Sequence, residues 1–311
     1  EMCIRDSINT GCGECAYIIL PDGTTMLIDA GENKAGNPRH VSPKPNASRT
    51  PGEWIVDYIK TMAPVQKQKL DYALITQFVP GVDNQFRLLY DSTRYAGRFK
   101  IQNIYANGWL WTGKEHEKRY LFPDFDTLEK YDIPQENTLS CAIKIVYGNF
   151  SYYTGGDVTG YPKPGRGTFH DVETWMAPVV GHTEVCCVNH HGYNNATNDT
   201  FISTLSPRIF IIQASDALHP NHSTLERMLS KYLYPGKRDV FATNLHPAAE
   251  IVIGKDTEKM KSRQGHIVIR VLPGGDEYYV YILEDHNTKR KIKQIFGPYI
   301  CGPTGCPGVK Q

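Results

Sequence analysis

A mixed α/β architecture with helices laid over β-sheets is what this 311-residue sequence predicts, on three observations. Apolar, β-branched runs come in pairs closed by tight turns. Segments with a helical repeat lie between the pairs, and no linker or internal repeat of fixed period divides the chain.

The first pair reads as a hairpin. Cys15 to Leu20 and Thr24 to Asp29 flank the turn Pro21-Asp22-Gly23, and both arms carry side chains that suit a pleated, half-buried surface. Gly31 to Pro51 is rich in Gly, Pro, Asn and Lys without periodicity, and reads as a loop. A helix is signalled from Thr50, a cap, with Pro51 at the first position and Ile55, Tyr58, Ile59 and Met62 at helical spacing. A strand over Asp71 to Thr76 follows. The stretch Asp83 to Glu136 is aromatic and irregular, with one strand expected over Ile101 to Ala106. Beyond it, strands are expected over Ser140 to Tyr147, Phe150 to Thr154, Glu184 to Asn189, Arg208 to Gln213, Val240 to Thr243 and Glu250 to Ile253. Helices are expected over Asp171 to Val180, Asp199 to Leu205 and Ser223 to Tyr232. A last hairpin, His266 to Leu272 and Tyr278 to Leu283, turns at Pro273-Gly274-Gly275.

The 34 Lys and Arg nearly cancel the 33 Asp and Glu, so no global field favours nucleic acid or an anionic membrane, and a polyanion would need a local patch. No apolar run approaches the ~18 residues of a membrane span. Glu1 to Ser7 fits neither a signal peptide nor the strand pattern and reads as a truncated or non-native start. The compartment therefore stays open between a cytoplasmic protein and a secreted one with a lost signal peptide. Lys289-Arg290-Lys291-Ile292-Lys293 reads as part of a solvated tail. Of the eight cysteines, Cys186 and Cys187 lie in an apolar strand and read as buried thiols. Cys12 and Cys15 form a C-x-x-C without a second pair at zinc-ribbon spacing. Cys301 and Cys306 flank Gly-Pro-Thr-Gly, a turn compatible with either a local disulfide or free thiols.

Three strand ends carry residues too polar for the runs they follow: Leu27-Ile28-Asp29-Ala30-Gly31, Thr154-Gly155-Gly156-Asp157 and Val188-Asn189-His190-His191-Gly192. A strand end is rigidly held yet open to solvent, which is what a metal or catalytic group needs. Taken with Gly13 to Gly23, the strand Leu70 to Thr76, Asn137-Thr138-Leu139-Ser140 and His219-Pro220, their order resembles the metallo-β-lactamase superfamily. Within it the chain is similar to the branch of the metallo-hydrolase domain of the competence DNA-uptake protein ComEC, across about residues 8–285. DNA uptake does not come with that resemblance, because it belongs to a membrane protein.

The resemblance implies an αββα sandwich of two mixed β-sheets flanked by helices over 8–285, with 286–311 as a C-terminal tail and 1–7 outside the domain. It implies metal-dependent hydrolysis of a small-molecule ester or phosphodiester, with Asp157 bridging two metals, His190 as a late ligand, and His191 as its alternative. Asp29 would orient a ligand of the first motif, and His219 would lie near the substrate and steady developing charge. The family's H-x-H-x-D-H motif, due after the strand Asp71 to Thr76, is degenerate here. Gln77, Val79, Gly81 and Val82 stand in its positions, or Asp83-Asn84 stand for Asp-His if two residues are inserted. A hydrolytic zinc needs about three protein ligands plus water. Asp157 and His190 supply two, Asp83 a third, and Gln77 a weak oxygen that suits Mn or Mg better than Zn. His182 and His116 have no place in the pattern. The expected cofactor is thus a divalent metal, Zn or Mn, weakly bound or absent. The expected function is an impaired hydrolase, a pseudoenzyme that binds or scaffolds, or a hydrolase whose sequence carries a local error over Gln77 to Asn84.

Overall fold

The computed structural model describes residues 4–31, 36–76, 99–112 and 117–302. Among them the chain forms β1 (Ile4–Ser7), β2 (Ala16–Ile19), β3 (Thr25–Ile28), α1 (Pro51–Met62), β4 (Tyr72–Leu74), β5 (Phe99–Ala106), β6 (Trp109–Trp111) and β7 (Lys118–Tyr120). Then come β8 (Ala142–Tyr147), β9 (Phe150–Thr154), α2 (Val172–Val180), β10 (Val185–Cys187), α3 (Asp199–Leu205), β11 (Ile209–Ile212) and α4 (His222–Leu229). The chain continues through β12 (Asp239–Ala242), α5 (Pro247–Ile253), β13 (His266–Val271), β14 (Glu277–Leu283) and β15 (Ile292–Ile300).

These strands build two mixed sheets. One has the order β15-β14-β13-β1-β2-β3-β4, the other β12-β11-β10-β9-β8-β5-β6-β7. The first is antiparallel except for the parallel pair β3–β4. In the second, β9 to β12 run parallel, so their carboxyl ends lie along one edge of the sheet.

Period-two alternation sends neighbouring side chains into different cores. Ile18, Ile28, Ile267, Ile269 and Val280 of the first sheet share one apolar cluster with Ile143, Ile145, Tyr152, Val185, Ile209 and Phe241 of the second. The sheets are therefore packed face to face. On the outer side of the first, Tyr17 meets Ile55, Tyr58 and Ile59 of α1. On the outer side of the second, Tyr153, Phe210, Ile212 and Val240 meet residues of α2 to α5. The order is helix, sheet, sheet, helices, and each fully buried Ile, Leu or Phe contributes about 1.5–3 kcal/mol of transfer free energy. The adjacent thiols of Cys186 and Cys187 enter different clusters, and both are buried and outside any disulfide.

The start of α1 carries a full capping box. Thr50 Oγ1 accepts from Glu53 N, Thr50 N donates to Glu53 Oε2 at 2.8 Å, and Pro51 occupies the first turn. No helix among the described residues is long and apolar enough to cross a membrane.

Three expectations need correction. Glu250 to Ile253 is not a strand but the end of α5, which begins at Pro247 and is capped by His246. Ala249 and Ile253 are buried one helical turn apart, while Ile251 and Val252 are 82 % and 71 % exposed, so the apolar run follows the helical period. Ile4–Ser7, set outside the domain by the sequence pattern, pairs with β13 on one side and β2 on the other. Nor is 286–311 a solvated tail throughout: β15 pairs antiparallel with β14. Arg290 is buried, donates to Asp57 Oδ2 at 2.6 Å and stacks over Tyr58 at 5.1 Å. The sheets thus extend from Ile4 to Ile300, beyond the bounds 8–285. Cys3 and Cys306 lie outside the described residues.

β1 enters the next loop at Asn9, whose backbone N–H donates to Nδ1 of the buried His266 at 3.0 Å, while the His266 ring lies 4.8 Å from Tyr58. Burial, and secondarily the Arg290 charge, push the His266 pKa down to about 3. The folded state therefore binds fewer protons than the unfolded one between pH ~6.5 and about 3, so its contribution is whole above ~6.5 and is lost as pH falls. Urea unfolding should show about 2 kcal/mol lost through this group between pH 7 and pH 5. His266→Asn keeps an acceptor for Asn9 but does not titrate, so its stability should be lower at pH 7 and depend less on pH. An unchanged slope would refute the assignment.

Candidate metal centre

The carboxyl ends of β3, β9, β10 and β11, with the loop before β2, converge on one edge. Asp29, at the end of β3, accepts from Thr76 N at 2.8 Å and from Thr76 Oγ1 at 2.7 Å. A Cβ on Gly156, whose φ is +54°, would stand 2.4 Å from that same Oγ1, so only glycine lets the loop after β9 approach Thr76. The next residue is Asp157, largely buried, with its backbone N–H donating to Ser140 Oγ at 3.3 Å. Asp29 thus sets the position of the loop that carries Asp157. Burial, with the Asp157 charge a smaller contributor, pushes the Asp29 pKa up to about 6, against the hydrogen bonds from Thr76.

After β10 the chain turns through two consecutive left-handed residues, His190 at φ 48° and His191 at φ 55°. Such backbone costs about 1–3 kcal/mol per non-glycine residue and clusters at functional sites. His190 N donates to Gly156 O at 2.8 Å, tying the histidine loop to the Asp157 loop.

The two rings differ in what they offer. His191 Nδ1 donates to Gln213 O at 2.7 Å, which leaves its Nε2 lone pair free, 3.4 Å from Asp157 Oδ1. A backbone carbonyl on the far nitrogen is the usual way a ligating imidazole is oriented. His190 Nε2 lies 3.7 Å from Asp157 Oδ2, but it accepts from Asn137 Nδ2 at 3.0 Å while Nδ1 donates to Asn195 Oδ1 at 2.8 Å. Both of its nitrogens are engaged by amides. Burial lowers its pKa, partly offset by Asp157.

The residue that completes the group is Glu14. It is buried, with Oε1 3.8 Å from His191 Nδ1, and Glu14, Asp157 and His191 each bring one donor atom within 4.8 Å of the other two. In the sequence Glu14 falls only within the run Gly13 to Gly23, and its place directly before an apolar strand is the one local sign of it. Two carboxylates and one imidazole match a divalent cation in donor type, and their span of up to 4.8 Å lies a few tenths of an ångström beyond the ~3–4.4 Å that separates donors about 2.0–2.2 Å from a shared ion. Such an ion would also balance acids that are otherwise costly to bury together. The oxygen-rich set favours Mn, or Zn with a carboxylate-rich shell.

His219 stacks on His191 with ring centres 4.9 Å apart and 25° between planes, and its Nδ1 accepts from Asp216 N at 3.3 Å. Burial and the neighbouring imidazoles, His191 then His190, push its pKa down to about 2, so the ring is neutral and Nε2–H is a donor. The structure therefore brings Asp29, Asp157, His190, His191 and His219 together. Gln77 and Asp83, with Val79, Gly81, Val82, Asn84 and His116, lie outside the described residues. His182 precedes β10, at the opposite edge, with Nε2 3.3 Å from Glu184. The C-x-x-C pair is split: Cys15 packs under α1, and Cys12 Sγ lies 3.2 Å from His40 Nδ1 and 3.1 Å from Ser215 Oγ. No protein-family model and no curated protein matches the chain.

Titration of the dialysed protein with Mn or Zn should show affinity falling about tenfold or more in Glu14→Gln, Asp157→Asn and His191→Ala. His190→Ala should lose less, acting only through the loop. The ligand assignment fails if His190→Ala abolishes binding and His191→Ala leaves it intact.

Proposed function

We propose that the chain is a metal-dependent hydrolase of the metallo-β-lactamase type, acting on a phosphodiester or comparable ester at a three-ligand centre of Glu14, Asp157 and His191. The observation that carries this reading is the convergence of those three donors at one sheet edge with the His191 tautomer fixed by Gln213 O. The four-layer order of helix, sheet, sheet and helices supports the family-level fold, as does the arrival of Asp29, Asp157 and the paired histidines at the same edge.

A divalent ion held there supplies a Lewis acid that polarises an ester oxygen and acidifies water. The protein's own contributions follow from its hydrogen bonds. Gln213 O and the amides of Asn137 and Asn195 hold two imidazoles in set tautomers, so no side chain must reorganise during reaction. His219, neutral and stacked on His191, offers an N–H to an oxygen that gains charge. Tyr193 closes one side, its ring 5.2 Å from His190 and 5.7 Å from His219.

One observation favours a second reading, a metal-binding module without turnover. His190, the expected late ligand, has both nitrogens on side-chain amides, and the H-x-H-x-D-H positions hold Gln77, Val79, Gly81 and Val82. Steady-state assay of a chromogenic phosphodiester and a carboxyl ester, with Mn or Zn added, separates the two. The hydrolase reading expects metal-dependent turnover that Asp157→Asn abolishes, and a kcat about 10²-fold lower in His219→Phe at little-changed KM. Metal binding through Glu14, Asp157 and His191 without turnover on either ester establishes the module. Turnover that survives Asp157→Asn overturns both.

A further inference from the structure

At the sheet edge opposite the candidate centre lies a cleft of about 650 Å³ lined by Arg208, Lys231, Lys237, Arg238, Lys259 and Lys261, with Asp239 its one acid. The cations come from three separate stretches of chain: the residue before β11, the loop between α4 and β12, and the segment after α5. Arg208 precedes β11 and Asp239 opens β12, whereas Gln213 and Asp216 follow β11. At about 3.3 Å per strand residue, cleft and candidate centre are roughly 16 Å apart.

The charge within the cleft is not balanced from inside the protein. Asp239 holds Arg208 Nη1 at 3.0 Å and accepts from Tyr299 OH at 2.9 Å, and Lys259 pairs with Asp256 at 2.5 Å. Lys261 reaches Asp239 only at 4.0 Å. Arg238 donates to the carbonyls of Ser230, Tyr234 and Gly236 and stacks over Tyr234, and among the described residues its charge meets no carboxylate. Among the described residues, Lys231 and Lys237 form no ion pair, and both are exposed. In a chain of net charge +1, this gathering is local, and like charges at such spacing repel unless an anion sits among them. Arg238 is immobilised by its carbonyl bonds, while Leu229 and Pro235 give the cleft an apolar wall.

We propose that this cleft binds a phosphate-rich small anion, of the inorganic triphosphate or nucleoside polyphosphate class. Four lysines, of which Lys259 is paired with Asp256, around the fixed guanidinium of Arg238 suit several adjacent phosphates better than a single one. The cations are gathered around one half-open cleft of about 650 Å³, a size that suits a small ligand. The site is independent of the hydrolase reading.

The test is calorimetric titration of the full chain, without added metal, with inorganic triphosphate, ATP, orthophosphate and a single-stranded oligonucleotide. Triphosphate should bind at one site per chain and at least about tenfold more tightly than orthophosphate, weakening as salt rises. The pair Lys231→Gln and Lys237→Gln, on exposed positions outside the core, should weaken it about tenfold or more at unchanged melting temperature, and Lys237→Arg should retain it. Asp157→Asn should leave it unaltered. Equal binding of triphosphate and orthophosphate, insensitivity to the lysine pair, or preference for the oligonucleotide would each overturn the proposal. ATP binding more tightly than triphosphate would place a nucleoside on the Leu229 and Pro235 wall; equal binding would restrict recognition to the phosphates.

Discussion

Glu173, on α2, is wholly buried, and its carboxylate accepts from Asn189 Nδ2 at 2.6 Å, from Thr197 N at 2.6 Å and from Asn198 N at 2.7 Å. Asn189 in turn accepts from the buried Tyr153 OH at 2.9 Å. These contacts clamp both ends of the segment that carries His190 and His191, and they offset the cost of its left-handed turns. Without them the backbone N–H groups of Thr197 and Asn198 would be buried and unmet, at about 1–3 kcal/mol each. Burial pushes the carboxyl pKa up to about 7, against the three donors that lower it, so the clamp stands between desolvation and hydrogen bonding. The positions of the His190, His191 and Tyr193 rings, all carried between Asn189 and Thr197, follow from it.

A second chain of contacts acts from the other sheet. Asp29 fixes Thr76, Thr76 fills the space that Gly156 leaves open, and Gly156 delivers Asp157. Gly31 N donates to Glu14 O at 2.7 Å, so the same strand end that holds Asp29 also holds the loop of Glu14. The donors thus come from both sheets, and the geometry between them depends on how the sandwich closes. This accounts for ligands so far apart in sequence meeting within a few ångströms, and for the gathering of three acids at one buried edge.

What the sequence made legible was local. Thr50 and Pro51 mark α1 within a few residues, and the polar breaks after β3, β9 and β10 locate the site edge. What it hid was decided across the chain. β1 was unreadable because its partners are β2 and the distant β13, and four residues carry little pattern of their own. The helix α5 passed for a strand because Ile251 and Val252, both β-branched, face solvent. Glu14 is a ligand candidate only because the fold brings it to His191. The choice between His190 and His191 turns on which ring Gln213 and which ring Asn137 and Asn195 engage, a matter of backbone angles that adjacent histidines do not reveal.

The outer sheet ends on β15, which includes Gly297 and Pro298 and breaks register with β14 between Tyr278 and Val280 and again between Ile282 and Leu283. Proline has no N–H to offer a further strand, and an irregular register twists the free rim away from a straight template. Lys291 and Lys293 add charge along the same rim. A row of open backbone groups at the end of a seven-stranded sheet would otherwise invite a neighbouring chain to add its own strand. Built this way, the last strand seals the sheet against growth and keeps the sandwich from becoming the seed of an aggregate.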